Sequence, residues 1–354
     1  MTTTPAETGR YRHFGSGAEA YRAFVPAPLP PVLDLTEADH DLMERANRAL
    51  GRLDGIATLL PDRDLFLYLY VRKEAVLSSQ IEGTQSSLTD LLQHEDGAAP
   101  GVPLDDVREV SNYVAALDHG LKRLRGGFPL SLRLIREIHG VLLQGGRGAN
   151  NTPGEFRRSP VWIGGARPWT ATFVPPPPDE LAACLDAFER YLHQPGVPIL
   201  IKAALSHVQF ETIHPFLDGN GRVGRLLITF LLCAEDVLSD PLLYLSLFFK
   251  THRSEYYERL QRVRTHGEWR EWLQYFLRGV QETSKQAVDT ARDILDLFER
   301  DRQVIRDGVG RSSGSVLQVQ EVMQRRPLVT ITEAASQSGL TYATVRSAME
   351  TLER

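Results

Sequence analysis

One twelve-residue segment constrains this chain more than any other: His214-Pro215-Phe216-Leu217-Asp218-Gly219-Asn220-Gly221-Arg222-Val223-Gly224-Arg225, which runs straight into the apolar stretch Leu226 to Ala234. Gly219 and Gly221 let the backbone approach an anion closely, and the turn opens a helix whose first N–H groups and positive dipole end favour a phosphate. Arg222 and Arg225 stand three apart, so both reach one side of that helix with forks suited to phosphate oxygens. Asp218 is a hard oxygen ligand of the sort magnesium takes beside substrate phosphates. His214, with an ordinary pKa of about 6.5, is placed to accept a proton at neutral pH. Gly219-x-Gly221-x-x-Gly224 also has the spacing of a dinucleotide-binding loop, but such a loop must follow a buried strand. Ile201 to Phe210 instead spaces apolar residues at 201, 204, 205 and 208, which predicts a helix.

Around this segment the chain reads as mainly α-helical. Helical periodicity dominates from about residue 35 to 95, with a helix predicted over Asp64 to Leu92 after the start signal Pro61-Asp62, and resumes from Asp179 to about Asp307. Between these, Val161-Trp162-Ile163 and Thr172-Phe173-Val174 read as two short strands of one small β-hairpin, followed by the stiff spacer Pro175 to Pro178. Gly308 to Ser315 loses periodicity and is rich in glycine and serine, so a linker is expected there. Four regions follow: an N-terminal helical region over 1–95, a core over 96–307, the linker 308–315 and a terminal module over 316–354.

Composition narrows the function classes. Net charge is -5 over 354 residues, a balance that attracts neither nucleic acid nor an anionic membrane. The longest apolar run, Leu226 to Ala234, is far short of the about 20 residues that cross a bilayer. Met1 to Gly17 lacks the apolar core of a secretion signal, and Cys184 and Cys233 form neither a disulfide framework nor a cysteine metal site. A cytoplasmic protein without a membrane segment is expected. His207 has no third metal ligand near it in the sequence and reads as a structural histidine.

The segment HPFLDGNGRVGR resembles the signature of the Fic (filamentation induced by cAMP) family, H-x-F-x-[D/E]-G-N-G-R-x-x-R, at every specified position. The resemblance implies a Fic-type helical bundle with a β-hairpin flap, and a protein adenylyltransferase that moves AMP from ATP onto a Ser, Thr or Tyr hydroxyl of a target protein. By match of position, His214 would deprotonate the target and Asp218 would hold Mg2+ (or Mn2+). Gly219, Asn220 and Gly221 would cradle the α-phosphate, Arg222 and Arg225 would steady the β- and γ-phosphates, and Val223 and Gly224 fall in the same nucleotide-binding stretch. Phe216 would be a core anchor. Relatives that phosphorylate instead carry a lysine where this chain has Gly221, which favours AMP transfer.

Three further segments extend the resemblance. Ser78-Ser79-Gln80-Ile81-Glu82-Gly83 is similar to the inhibitory pattern [S/T]-x-x-x-E-[G/N], with Ser78 and Glu82 on one helix face. It implies that Glu82 pairs with Arg225 and holds ATP unproductively, and in some relatives the same glutamate supports removal of AMP. Val161, Trp162 and Ile163 look like the target-docking flap, which could hold a target backbone by strand addition. His252, where many relatives have asparagine, and Tyr256 and Tyr257 resemble the segment bordering adenine and ribose.

The tail Ile331 to Arg354 places Ala335, Gly339 and Val345 as a helix-turn-helix does, with a second helix starting near Thr341, and resembles the winged-helix tail of such proteins. From Gly314 to Arg354 its basic and acidic residues balance, where a phosphate binder should be basic. A protein-interaction or dimerisation module, and hence a homodimer, is expected, with weak DNA binding as the alternative. The rival for the whole chain is a DNA-binding transcriptional regulator whose nucleotide site senses ATP without transferring AMP.

Overall fold

Strand β1 (Gly9–Phe14) pairs antiparallel with β2 (Tyr21–Pro26), Tyr11 opposite Phe24, in a computed structural model that describes residues 8–57, 63–95, 101–145, 148–325 and 329–353. The predicted Pro61-Asp62 start lies outside the described residues. This hairpin is additional to the one expected at 161–174, and Arg10 to His13 alternates arginines with aromatic rings at the period of a strand. It is anchored by its arginines, Arg10 to Glu180 (2.7 Å) and Arg12 to Asp179.

The remainder is mainly α-helical. Helix α1 (Glu37–Ala57) starts where Asp39 accepts from the Thr36 N–H and hydroxyl, at 2.8 and 2.7 Å. The predicted helix over 64–92 divides into α2 (Arg63–Ile81) and α3 (Leu88–Glu95), because Gly83 interrupts it. Then come α4 (Leu104–Arg125) and α5 (Leu132–Leu142), the latter capped by Ser131, whose hydroxyl accepts from Leu134 N–H. Helix α6 (Pro178–Leu192) has proline in its first turn, where a missing N–H costs nothing.

Helix α7 (Ile199–Ile213) is buried from Leu200 onward, as a helix with little polar face must be. Two of its polar residues are paired: Lys202 with Glu235 (3.1 Å), and Gln209 with the Ala27 carbonyl (2.9 Å). Helix α8 (Asn220–Ala234) packs beside it, and α4 crosses α8 at Gly120, where a Cβ would lie 2.3 Å from the Phe230 ring. Gly120→Val is therefore expected to cost about 1–3 kcal/mol by overpacking, visible as a lowered thermal midpoint; an unchanged midpoint would contradict this packing.

Helices α9 (Ser246–Thr251) and α10 (Arg253–His266) lead into α11 (Trp269–Gly308), about 60 Å long at 1.5 Å per residue. Its first half joins the main core, which runs from Val25 to Ala291; Ile305 near its end joins a second core with Val316, Val319, Val322, Ala334, Val345 and Ala348. Between the two lie a 3-10 turn, Gly310–Ser312, and the start of α12 (Ser313–Arg325), so the stretch 308–315, expected as a linker without helical periodicity, is mostly helical. Helices α13 (Ile331–Ser338) and α14 (Tyr342–Leu352) form the expected helix-turn-helix. Gly339 turns the chain at φ +70 and Thr341 caps the second helix.

The hairpin predicted at 161–163 and 172–174 is reduced to one antiparallel bridge between Ile163 and Phe173. Gly164-Gly165 and the 3-10 turn Pro168–Thr170 consume the loop, and Pro175 to Pro178 have no N–H with which to extend the second strand. Strand β2 instead reaches across: Phe24 N–H donates to the Val174 carbonyl at 2.9 Å.

Candidate active site

The end of α7 sets the geometry. His214 follows Ile213 as the helix C-cap in the left-handed region, φ 49 and ψ 61, a conformation that costs a non-glycine residue free energy and is held only by surrounding contacts. Those contacts come from Arg157. Its Nε donates to the His214 carbonyl (2.8 Å), its Nη2 to Pro176 O (2.6 Å) and Ile213 O (3.3 Å), and its Nη1 to Ser159 O (3.3 Å). One buried guanidinium thus ties both roots of the flap to the histidine, with carbonyls rather than a carboxylate as partners; burial lowers its pKa to about 10. Arg157→Met would leave these carbonyls short of a donor and is expected to cost about 3 kcal/mol, read as a lower urea midpoint; an unshifted midpoint would remove the clamp from this account.

The loop after His214 is closed from inside. Asn220 accepts from Phe216 N–H and donates to Phe216 O, both at 2.9 Å, so its side chain is spent on the turn. Phe216 is fully buried, as expected of an anchor, and stacks at 3.7 Å on His139, a ring that sequence reasoning did not single out. His139 accepts from Gly154 N–H at Nδ1 and meets the Asp218 carbonyl at Nε2 (3.1 Å), which fixes the loop carrying Asp218. Burial lowers its pKa to about 4, so it acts as a neutral spacer.

Gly219, φ +75, then begins α8 with no side-chain cap, so the first N–H groups of that helix have no intrahelical partner. The Asp218 carboxylate, about a third exposed, accepts from Gly219 N–H (2.6 Å) and lies 3.6 Å from Arg222. Arg222 is buried and held by Glu109 at 3.3 Å. Arg225, also buried, donates from Nε to the Ser78 hydroxyl (2.8 Å) and from Nη2 to the Ser78 carbonyl (3.0 Å) and the Glu82 carboxylate (2.7 Å). Residues 143 positions apart in sequence therefore meet. A Cβ on Gly221 would lie 2.2 Å from Glu82 Oε1, so the carboxylate rests against this glycine. Burial alone would lower the Arg225 pKa, but the Glu82 charge turns the balance to a net rise; Glu82, raised by burial, ends below its usual range because of Arg225. His214 is pushed down to about 3 by burial and then by Arg264 and Arg157, so its ring is neutral at pH 7.

The structure thus brings together His214, Asp218, Gly219, Gly221, Arg222, Arg225, Ser78 and Glu82, with Gly83 closing the turn after Glu82. Other expected nucleotide contacts fall elsewhere. Val223 is buried core, and Gly224 faces inward to His207 and Glu211. Tyr256 is buried too: its hydroxyl bonds to His207 Nε2 (2.8 Å) and its ring packs on Phe249, so it cannot stack on a base from there. His207, whose Nδ1 meets Gly224 O at 2.9 Å, is the structural histidine expected. Tyr257 is exposed, with Arg253 5.2 Å over its ring, and Arg253 also donates to Ile81 O beside Glu82. His252 is half-buried against Phe248, its Nδ1 3.1 Å from the Phe248 carbonyl. Val161 and Ile163 are half-buried and Trp162 exposed, its indole donating to Gly165 O.

Residues 40–122 match the Fic/DOC family N-terminal region and residues 129–232 match the Fic/DOC family, together more than half of the chain. The chain belongs to the Fic/DOC family. Protein adenylyltransferase Fic of Aedes aegypti is 33% identical over 202 residues, 55% of this chain and 37% of that protein. The protein of the same description from Drosophila ananassae is 32% identical over 181 residues, 50% of this chain and 33% of that protein. The chain therefore spans about a third of the length of these curated relatives. Among solved structures, a Fic family protein from Desulfovibrio desulfuricans G20 superposes with a TM-score of 0.64 at 20% identity, covering 91% of this chain and 92% of the other. Fic-1 of C. elegans gives 0.54 at 21% identity over 73% of each chain. At these identities the likeness is one of fold. No helix among the described residues is long and apolar enough to cross a membrane.

Proposed function

We propose that this Fic protein transfers AMP from ATP to a Ser, Thr or Tyr hydroxyl of a target protein, and that Glu82 restrains it. The observation that carries the reading is the meeting of a neutral imidazole at His214 with the first turn of α8, whose N–H groups at Asn220 and Gly221 have no intrahelical partner, and two buried arginines. The description of the curated relatives as protein adenylyltransferases supports it. The target's hydroxyl proton passes to His214 Nε2, its oxygen bonds to the α-phosphorus, and pyrophosphate leaves. Most of the acceleration then comes from positioning and charge. Arg222, steadied by Glu109, and Arg225 neutralise the departing phosphates.

Asp218 is the residue that would hold Mg2+ or Mn2+. A single partly exposed carboxylate suits magnesium, which takes one or two carboxylates and completes its shell with phosphate and water; among the described residues no cluster of three or more ligands offers an all-protein site. The ion would supply charge neutralisation on the phosphates. Glu82 stands where phosphate oxygens would approach Gly221 and occupies Arg225, so ATP competes with it. The same carboxylate, once released, is placed to activate water and remove AMP, which makes a bifunctional enzyme part of the proposal.

A target segment would dock at the Val161–Ile163 side of the flap. The Val174 carbonyl on the other side is taken by Phe24, while Val161 and Trp162 have no backbone partner among the described residues. The terminal helix-turn-helix, with its own core and balanced charge, fits a protein-interaction or dimerisation role better than DNA binding, in a homodimer in the cytoplasm. Incubation of the Glu82→Gly protein with labelled ATP and magnesium tests the reading. Labelled protein that disappears on adding His214→Ala supports it, and an unlabelled Glu82→Gly protein would sink it.

A further inference from the structure

Glu211, one turn before His214 on α7, is a buried carboxylate that the site described so far does not use. Its Oε2 lies 3.9 Å from His214 Nδ1, and its own carbonyl oxygen lies 3.4 Å from the same nitrogen. Its Oε1 is enclosed and has no hydrogen-bond partner among the described residues. A buried acceptor left open is costly unless something arrives to use it. The room for it is made by Gly224, where a Cβ would lie 2.8 Å from Oε1.

The charged and titratable groups facing Glu211 are few. Arg225 of α8 and Arg264 of α10 attract its charge, Glu82 beyond α2 repels it, and Tyr256 and Tyr257 of α10 border it. Arg264 also donates to the Glu211 carbonyl (3.1 Å) and Thr212 hydroxyl (3.2 Å), which holds the backbone on which both Glu211 and His214 ride. His207, one turn earlier, is buried and neutral.

We propose that Glu211 is the positioning residue for His214: its carboxylate receives the Nδ1–H of the imidazolium that forms when Nε2 takes the target's proton. The inference rests on the AMP-transfer reading above. The 3.9 Å gap is short enough to close with a side-chain adjustment once the imidazole becomes charged. The proton count balances, since Nε2 gains the hydroxyl proton while Nδ1 keeps its own and donates it. The need follows from Brønsted behaviour, because an imidazole depressed to about 3 accepts a hydroxyl proton poorly unless an anion waits behind it. Burial first, and then Glu82, hold Glu211 up at about 7. The ionised, useful form of Glu211 therefore accumulates as pH rises through about 7.

The test compares the Glu82→Gly protein with Glu82→Gly/Glu211→Gln. The amide keeps the shape but cannot take up the charge, so kcat is expected to fall about 10- to 100-fold while the KM for ATP stays within about 3-fold. The parent's kcat should rise with pH between 6 and 8, and the Gln variant should lose that limb; His214, titrating near 3, cannot supply it. A carboxyl raised in the fold contributes stability below its unfolded pKa that is lost as pH rises through the folded value. The Gln variant should therefore melt no lower than the parent at pH 8. Nitrogen NMR of the His214 ring reads the contact without any turnover: the Nδ1–H form should persist from pH 5 to 8, its shift moving with the Glu211 titration and standing still in the Gln variant. A Gln variant with the parent's kcat and pH limb, or ring shifts indifferent to Glu211→Gln, overturns the proposal. An unlabelled Glu82→Gly parent counts against AMP transfer instead, and the ring shifts still decide the Glu211 contact.

Discussion

The Glu82→Gly protein is expected to transfer AMP about 10- to 100-fold faster than the unmodified chain. That factor is what one hydrogen bond to a charged group, about 1.5–3 kcal/mol, is worth. In the proposed restraint the Glu82 carboxylate would act twice. It takes an Arg225 donor at 2.7 Å, and it stands against Gly221, where a phosphate oxygen would need to come. Ser78 stays bonded to Arg225 after the substitution, so the guanidinium keeps its place and loses only its carboxylate. Stability should fall by no more than about 1–2 kcal/mol, because Glu82 is about a third exposed and exposed pairs are screened. The pH dependence has a definite sign. Glu82 is depressed in the fold, so its pair with Arg225 is intact above the ordinary glutamate range and is lost only as pH falls below it. Label incorporation across a pH series measures both; a Glu82→Gly protein no faster than its parent removes the restraint from the account.

His214→Ala, made in the Glu82→Gly background, is expected to reduce transfer by about 10²- to 10⁴-fold, the range typical of a lost general base. ATP affinity should change little, since in the proposed reading the phosphate contacts would come from the α8 N–H groups, Arg222 and Arg225. The distinction matters because His214 also carries part of the local architecture through its left-handed backbone and the Arg157 clamp. Alanine tolerates that conformation no better than histidine, so a melting curve should accompany the assay. Retained transfer with an intact melt would rule out His214 as the base.

How far the sequence alone reaches can be followed residue by residue. The twelve residues from His214 carry their chemistry in adjacent positions, so their grouping was legible directly, and the helix before them was legible from its apolar spacing. The pairing of Glu82 with Arg225 was legible only through resemblance, because nothing in either segment points to the other. The contacts of Arg157, His139 and Glu211 were missed for a common physical reason. Each depends on a backbone carbonyl, a ring face or a gap that exists only after α5, α7 and the flap have packed. Tyr256 shows the converse: resemblance set it beside the adenine and ribose, while its ring and hydroxyl are taken up by Phe249 and His207 in the aromatic cluster behind the cleft. The flap was misjudged in extent because short strands bounded by glycines and prolines look complete in sequence, while their hydrogen bonds depend on what lies beside them.

The single bond from Phe24 to Val174 bears on how this protein is best cut for study. The family match begins at residue 40, and a boundary drawn there would discard the β1–β2 hairpin. Such a trimmed protein would leave the Val174 carbonyl and the Phe173 ring open to water on the side where strand β2 now lies. An uncovered strand edge invites a second chain to pair with it. Trimmed preparations would then offer a target two edges instead of one, and selectivity measured on them would describe a different flap.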